Sequence, residues 1–578
     1  MKIAVRASMI VACAGLCAPA MAQLPVPATS TNTASTASTP YTLPSRPDLG
    51  TRVLSFATTA TNEFFTRTST GANDYRLVVI PDGMGAFRSE QDIIDGTFTL
   101  LVNHELGDSA GIVRRHGSRG AFVSEWKVRT NDLTVVSADD LITNANLWNI
   151  GTGSFQNFGP GNTMPDYAQN NTNGVQGWAA SNPNNDGFNR FCSADLAPTS
   201  AFSWNGLGTT DRIFMNGEES GSQGRAFAHV ASGAEKGTTY ELPFLGDFSW
   251  EQSIASPLSQ LKTVVLGSDD SGTGGIYMYV GDKKASGNVI EKAGLNDGRL
   301  YGLTIADPAR NGSNQPVESQ QFGLGNSTVG YKDSVPFGFY EFSDPVGTPG
   351  STVTPVVGPA VTGVQQLGDA NNVLNFLRPE DMAWDTKNPN RAYFVTTDTF
   401  GGRARIYAMD YNDVTQPELG GTLNLLGDGG QTSTFSGGFV SNTGATTGEM
   451  FDNFCVTKQG YLLIQEDVGS NIRLGRTWLY DPYGDNMVEV LINDAARFAP
   501  AVAPFNTDEE ASGIIDAQDI LGEGWFLFNM QAHYGITGEL VQGGQLLAVY
   551  IDFSRVPAPG TAAAFGLVAL AGLRRRRN

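Results

Sequence analysis

The sequence predicts an all-β protein, a six-bladed β-propeller with long insertions between its blades. Three observations lead there. Short apolar runs recur along the chain, each bounded by clusters of Gly, Asn and Asp, the pattern of strands and turns rather than of amphipathic helices. Six of these runs end abruptly in acceptor-rich side chains and are followed by a second run that carries an aromatic. Gly supplies 69 of 578 residues while charged residues make up only 16%, which argues against a coiled coil or a helical bundle.

Taken in order, run 98–102 ends in Asn103-His104-Glu105 and is followed by 121–128. Run 212–215 ends in Asn216-Gly217-Glu218-Glu219 and is followed by 225–230. Run 263–266 ends in Ser268-Asp269-Asp270 before 275–280, and 391–395 ends in Thr396-Thr397-Asp398 before 405–410. Run 461–464 ends in Gln465-Glu466-Asp467 before 477–480, and 525–528 leads into Asn529–His533 before 545–551. Repeated units of this kind are the mark of a propeller, whose blades are small antiparallel sheets around a channel. Their spacing is uneven, so insertions must separate blades; 143–190, rich in Asn and Gly, is the longest. Equivalent strand ends in a propeller gather at one mouth of the channel. Carboxylates crowded there need protons or cations, and hard oxygen ligands with one or two His suit Ca²⁺ or a hard trivalent ion. Taken singly, each acid reads better as an ordinary loop residue; the shared polarity of all six is what points to a metal site.

The ends of the chain read differently from the body. Residues 1–22 combine Lys2 and Arg6, an apolar stretch and Ala20-Met21-Ala22, the pattern of a cleaved secretory signal. Residues 23–50 are Ser/Thr/Pro-rich and read as a linker, and 51–555 form the propeller. Residues 556–578 hold Val556-Pro557-Ala558-Pro559-Gly560, thirteen apolar residues and an arginine cluster. Thirteen residues make a helix of about 20 Å, short of the roughly 30 Å hydrocarbon core. Without both ends the charge moves from −21 to −27, since six basic and no acidic residues leave. So acidic a body is a poor partner for nucleic acid. Cys192 and Cys455 alone remain in it, as one bridge or as free thiols.

Gly107-Asp108-Ser109-Ala110-Gly111 matches the serine-hydrolase string, but residues 112–120 are too rich in Arg and Gly for the helix that motif requires, so a plain turn is expected. His104-Glu105 lacks the second His of a zinc motif. Arg378-Pro379-Glu380-Asp381 offers two readings: a surface ion pair, or a metal ligand, Glu380, beside a guanidinium that forks onto phosphate. Pro379 biases Arg378 to an extended backbone. Cys192, as a thiolate, would favour iron over Ca²⁺.

The collinear order Asn103-His104-Glu105, Cys192, Gly217-Glu218-Glu219, Arg378-Pro379-Glu380, Glu466-Asp467 and Glu510-Ala511-Ser512-Gly513 resembles the PhoX-type alkaline phosphatases over residues 95–550. The sequence departs from that pattern at Trp250-Glu251, where the family has His-Glu, at Asp269-Asp270, where it has Glu-Asp, and at Val468, where it has Gly. The resemblance implies a propeller that binds Ca²⁺ and Fe³⁺ and hydrolyses phosphomonoesters. It implies metal ligands among Glu105, Cys192, Glu218, Glu219, Glu251, Asp270, Glu380, Glu466 and Asp467. Arg378 would serve as the catalytic phosphate-binding group, with His104 and His533 beside the substrate. The tail resembles the PEP-CTERM sorting signals, with Pro-Ala-Pro in place of Pro-Glu-Pro. That likeness implies an exosortase-like partner, transient membrane association through the tail, and residence in the periplasm, on the outer surface or in the extracellular matrix. Two other functions fit the same sequence: a non-catalytic, Ca²⁺-stabilised display propeller, and a phytase- or phosphodiesterase-like hydrolase.

Overall fold

The computed structural model describes residues 23–149, 152–161, 164, 187–324, 330–342 and 364–556; the expected signal and nearly all of the sorting tail lie outside them. The fold is an all-β propeller. Its innermost strands are β1 (Pro81–Phe87), β2 (Phe191–Asp195), β3 (Trp250–Ala255), β4 (Pro379–Trp384), β5 (Phe451–Val456) and β6 (Glu510–Asp516). They stand side by side in a closed ring, β1 against β2 and so on round to β6 against β1.

Each inner strand opens an antiparallel meander. From β1 the sheet runs outward through Thr97–His104, Phe122–Arg129 and Val135–Asp140. The sheets of β2, β3, β4 and β5 repeat this order, with Ile213–Glu218, Lys262–Asp269, Arg391–Thr396 and Leu462–Glu466 as their second strands. The last sheet takes β6, Trp525–Gly535 and Gln542–Tyr550 from the end of the chain and its outer strand, Arg52–Thr58, from the beginning. The runs picked out from sequence are thus the second and third strands of successive sheets.

Those runs are apolar on both faces because each sheet is sandwiched between two others. Val264 and Leu266 pack toward the sheet of β4, while Val265, one residue between them, packs toward the sheet of β2. Trp525 and Leu527 likewise face the first sheet, and Phe526 and Phe528 the fifth. The core is therefore a set of separate clusters between neighbouring sheets, each filled by alternate residues of two sheets.

The insertions attach to outer edges. Asn144–Asn149 and Ser154–Phe158 extend the second sheet. Ser334–Glu341 pairs with both Arg299–Thr304 and Gly421–Asp428, joining the third and fourth sheets and covering two edges at once. Residues 23–50, expected as a linker, are docked. Thr31–Asn32 pairs with Arg52–Thr58, Thr42–Pro44 pairs with Asn486–Asn493, and the buried Leu24 and Tyr41 join the clusters beside them. Low hydropathy hid this, because backbone pairing to an open sheet edge needs no apolar side chains. Cys192 and Cys455 are free thiols.

Candidate metal centre

The mouth of the channel is built by a register break near the start of every inner strand, which places a ligand residue in five of the six. Each inner strand loses register with its second strand soon after it starts, for example between Pro81 and Met84, Phe191 and Ala194, Trp250 and Ser253. The same break falls between Pro379 and Met382, Phe451 and Phe454, Ser512 and Ile515. A bulge of this kind re-aims a side chain. Inside the first five breaks stand Asp82, Cys192, Glu251, Glu380 and Asp452; the sixth brackets Gly513, and Glu510 lies ahead of it, in register with Gln531 at the start of β6. The second strands run the other way and bring Glu105, Glu219, Asp270 and Asp467 to the same rim.

Ligand atoms gather there in linked groups. Asp82, Glu105 and Cys192 have theirs within 4.8 Å of one another, as do Cys192, Glu219 and Glu251, and then Glu251, Asp270 and Glu380. Burial is the first cause that pushes Asp82, Glu219, Glu251 and Glu380 well above the usual carboxylate range, and repulsion from neighbouring acids adds to it. Asp452 and Glu510 are raised in the same way. Cys192 is raised by burial and by Asp82, Glu251, Glu105 and Glu219. Glu251 Oε1 is buried without a hydrogen-bond partner, and Glu380 Oε1 has no neighbour of that kind but the Arg378 guanidinium 3.2 Å away. Crowded, part-unsatisfied oxygens of this kind fit cations, and the thiol adds a soft donor to an otherwise hard set.

Two arginines span the rim. Arg378 forks onto Asp270, 2.9 Å on each arm, and lies 3.2 Å from Glu380. Arg190 holds Glu105 at 3.0 and 2.7 Å and also pairs with Glu219. Each arginine immediately precedes an inner strand and has a left-handed backbone, φ 56° for Arg378 and 46° for Arg190. The extended conformation expected for Arg378 is therefore corrected: the turn into β4 overrides the bias imposed by Pro379.

Not every expected residue joins the cluster. Glu218 is locked in a buried two-armed pair with Arg225, 2.7 Å on both arms. Glu466 is held by Arg473, Trp478 Nε1 and the Glu449 N–H. In both pairs of adjacent acids strand alternation sends the first into the sheet, where an arginine neutralises it, and leaves the second at the rim. Asp467 accepts from the Gly469 N–H at 2.8 Å and bridges to the start of β6. Asp398 caps its own turn by accepting from the Arg403 N–H. His104 is buried, stacked on Phe122 at 4.1 Å and bonded to Ser124 at 2.7 Å, so it faces the sheet and not the channel. His533 sits at the rim, 3.7 Å from Glu510.

Asp82, Asp452, Glu510 and Arg190 were missed from sequence. For Asp82 and Asp452 the available signal was Pro or an aromatic followed by an acid at a strand start, as in Pro81-Asp82, Trp250-Glu251, Pro379-Glu380 and Phe451-Asp452; Glu510, after Glu509, and Arg190, after Asn189, carry no such mark. Behind Cys192 lies a buried polar chain. Thr239 Oγ1 donates to His229 Nδ1 at 2.7 Å, and His229 Nε2 donates to Asn216 Oδ1 at 2.8 Å. Asn216 Nδ2 donates to Asn103 Oδ1, and Asn103 Nδ2 to the Cys192 carbonyl, both at 2.8 Å.

Fold and rim together define a propeller with a carboxylate- and thiol-lined channel mouth. Among solved structures the chain is similar to Pseudomonas fluorescens PhoX in complex with vanadate, a transition state analogue. That likeness has a TM-score of 0.57 at 12% identity and covers 88% of this chain and 96% of that one. It is also similar to a point mutant of NanB sialidase from Streptococcus pneumoniae, with a TM-score of 0.32, 9% identity and coverage of 82% and 69%. The WD40 domain of SCAP from fission yeast gives 0.23, 8% identity and coverage of 82% and 97%. At 12% identity the likeness to PhoX is one of fold. No family model matches the chain, and no curated protein matches it in sequence.

Proposed function

We propose that this chain is an exported, metal-dependent phosphatase that hydrolyses phosphomonoesters at the channel mouth of a six-bladed propeller. The carrying observation is the linked series of ligand groups running from Asp82 to Glu380 with Arg190 and Arg378 beside it. The closed ring of inner strands supports the blade count, and the fold of a vanadate-binding PhoX supports the reaction class.

Asp82, Glu105, Glu219, Glu251, Asp270 and Glu380 would hold Ca²⁺, and Cys192 would direct Fe³⁺ to its end of the series. Such ions supply Lewis-acid charge to phosphoryl oxygens. Arg378 and Arg190, whose forks rest on Asp270 and Glu105, would turn to the non-bridging oxygens once cations take up those carboxylates, and would carry the extra charge that develops in the transition state. In an otherwise acidic protein, bound cations and these two guanidiniums reverse the field where an anionic ester must enter. The leader and the PEP-CTERM-like tail, which an exosortase-like protease would process, would carry the activity to the periplasm, the cell surface or the surrounding matrix.

The test is elemental analysis of the purified protein beside assays on a phosphomonoester and a phosphodiester with added Ca²⁺ and iron. Stoichiometric cations, and monoester turnover lost together with them in Glu251→Gln, are expected. Calcium-saturated protein that contains no iron and turns over neither ester would overturn the enzyme and leave a display propeller.

A further inference from the structure

The bulge that presents Cys192 to the channel is held by one buried amide. Cys192 and Ser193 stand between two registered pairs, Phe191 with Glu218 and Ala194 with Asn216, so the break takes both out of the regular ladder. Asn103, near the end of the second strand of the first sheet, donates Nδ2 to their carbonyls, at 2.8 Å to Cys192 and 3.2 Å to Ser193. Its own rotamer is set from behind. Asn103 Oδ1 accepts from Asn216, Asn216 Oδ1 from His229, and His229 Nδ1 from Thr239. All four residues are fully buried, and every donor in the chain points toward Cys192. Only a neutral imidazole accepts at one nitrogen and donates from the other, and burial keeps His229 neutral.

On the channel side of the same bulge is the thiol. Cys192 Sγ donates to Asp82 Oδ2 at 3.4 Å. Cys192 is also the residue that two ligand groups share, with Asp82 and Glu105 in one and Glu219 and Glu251 in the other, and it is the one sulfur donor in the series. None of the chain's hydrogen bonds reaches Glu251, Asp270 or Glu380 at the other end. We propose that Asn103 is the positioning residue for the Cys192 thiol, and that it and the chain behind it fix which cation the Cys192 end accepts. With the bulge held, that end takes a thiophilic transition-metal ion; with the bulge released, it takes only a hard ion such as Ca²⁺. The inference rests on the metal-binding reading of the mouth and not on turnover. A partner that orients a ligand changes metal affinity about 10–100-fold, whereas the oxygen ligands at the Glu380 end are left as they are.

The test uses the full-length, chelator-treated protein and three probes. Iodoacetamide alkylation of Cys192 is scored by peptide mass against Cys455. Co²⁺ titration is followed by the near-ultraviolet band of a Co²⁺–thiolate bond, and Ca²⁺ titration by calorimetry. Asn103→Leu nearly keeps the side-chain volume and removes the amide. It should speed alkylation of Cys192 severalfold and weaken the Co²⁺–thiolate titration about tenfold or more, with Ca²⁺ affinity unchanged. Thr239→Val, at the far end of the chain, should move both thiol readouts in the same direction by less. The control is Gln545→Leu, at a fully buried amide whose bonds go to Tyr41, Thr39 and Thr58; it should lower the melting temperature and move neither thiol readout. If Asn103→Leu does not fold, Asn216→Leu carries the comparison. Thiol readouts equal to the parent's in the folded variants, or moved as far by Gln545→Leu, would overturn the positioning role. Co²⁺ and Ca²⁺ weakened alike would overturn the selection. A parent that shows no Co²⁺–thiolate band overturns the selection and the iron assignment together, while a parent with the band and without turnover fails the phosphatase reading alone.

Discussion

Arg378 holds a backbone conformation that costs a non-glycine residue about 1–2 kcal/mol, and in doing so throws its fork across Asp270 toward Glu380. Lysine at this position keeps the charge and loses the fork. Arg378→Lys should therefore leave cation content unchanged and lower kcat/KM on a phosphomonoester by about 2–4 kcal/mol of transition-state stabilisation; elemental analysis and steady-state kinetics on one preparation check both halves. A second residue-scale prediction concerns His229, enclosed by Phe191, Phe214 and Phe227 and bonded to Thr239 and Asn216. Burial pushes its imidazole down to about 3, and pushes the nearby His116 down to about 4. The unfolded chain takes up a proton near pH 6.5 that the folded chain refuses. The stabilisation is thus complete above that pH and is lost as pH falls, by about 1.4 kcal/mol per unit for each histidine, until its folded pKa is reached. His229→Gln should remove one histidine's share of that slope. Urea unfolding at pH 7, 6 and 5 measures it, and a slope equal to the parent's contradicts the assignment.

At the scale of single strands, the inner ring is tight enough to dictate its smallest residues. A Cβ on Gly83 in β1 would meet the Ala194 backbone nitrogen in β2 at 2.2 Å, and one on Gly513 in β6 would meet the Asp82 carbonyl oxygen at 2.4 Å. Both obstacles are backbone and cannot swing aside. Gly83→Ala should cost about 3 kcal/mol, at the upper end of the usual overpacking range, read as a lower urea midpoint with an unchanged m-value. The same crowding explains what was legible in sequence. Second strands such as Lys262–Asp269 are apolar on both faces because they lie between sheets, so they stand out as runs that stop at an acid. Inner strands such as Trp250–Ala255 turn one side to a polar channel and carry Glu251, Gln252 and Ser253, which reads as loop. The rim was therefore half legible. Glu105, Glu219 and Asp270 announced themselves at strand ends, whereas Asp82, Asp452 and Glu510 lie in the first residues of inner strands that no hydrophobic pattern marked. Glu218 and Glu466 show the converse limit: adjacent acids look alike until strand pleat assigns one of them to an arginine inside the sheet.

For the molecule as a whole, closure depends on Arg52–Thr58 pairing with Gln542–Tyr550. A protein lacking residues 23–58 would lose Leu54 and Phe56 from one intersheet cluster and Val53 from the next, and would leave Gln542–Tyr550 as an open edge. It should melt at a lower temperature and elute as aggregates from a sizing column. A monodisperse product with the parent's melting temperature would show that closure adds nothing. The pairing also sets an order of events during biosynthesis. The Tyr41 N–H meets Gln545 Oε1 across 504 residues of chain, and the rim draws on residues from Asp82 to Glu510. A nascent chain on the ribosome can build its early sheets one after another, because each is a local meander, but it cannot join the ring until the last strands have emerged. Final enclosure of the channel mouth thus belongs to a finished polypeptide: the linked groups from Asp82 to Glu380 come from the first four sheets, while Asp452, Asp467 and Glu510 join them only with the last two.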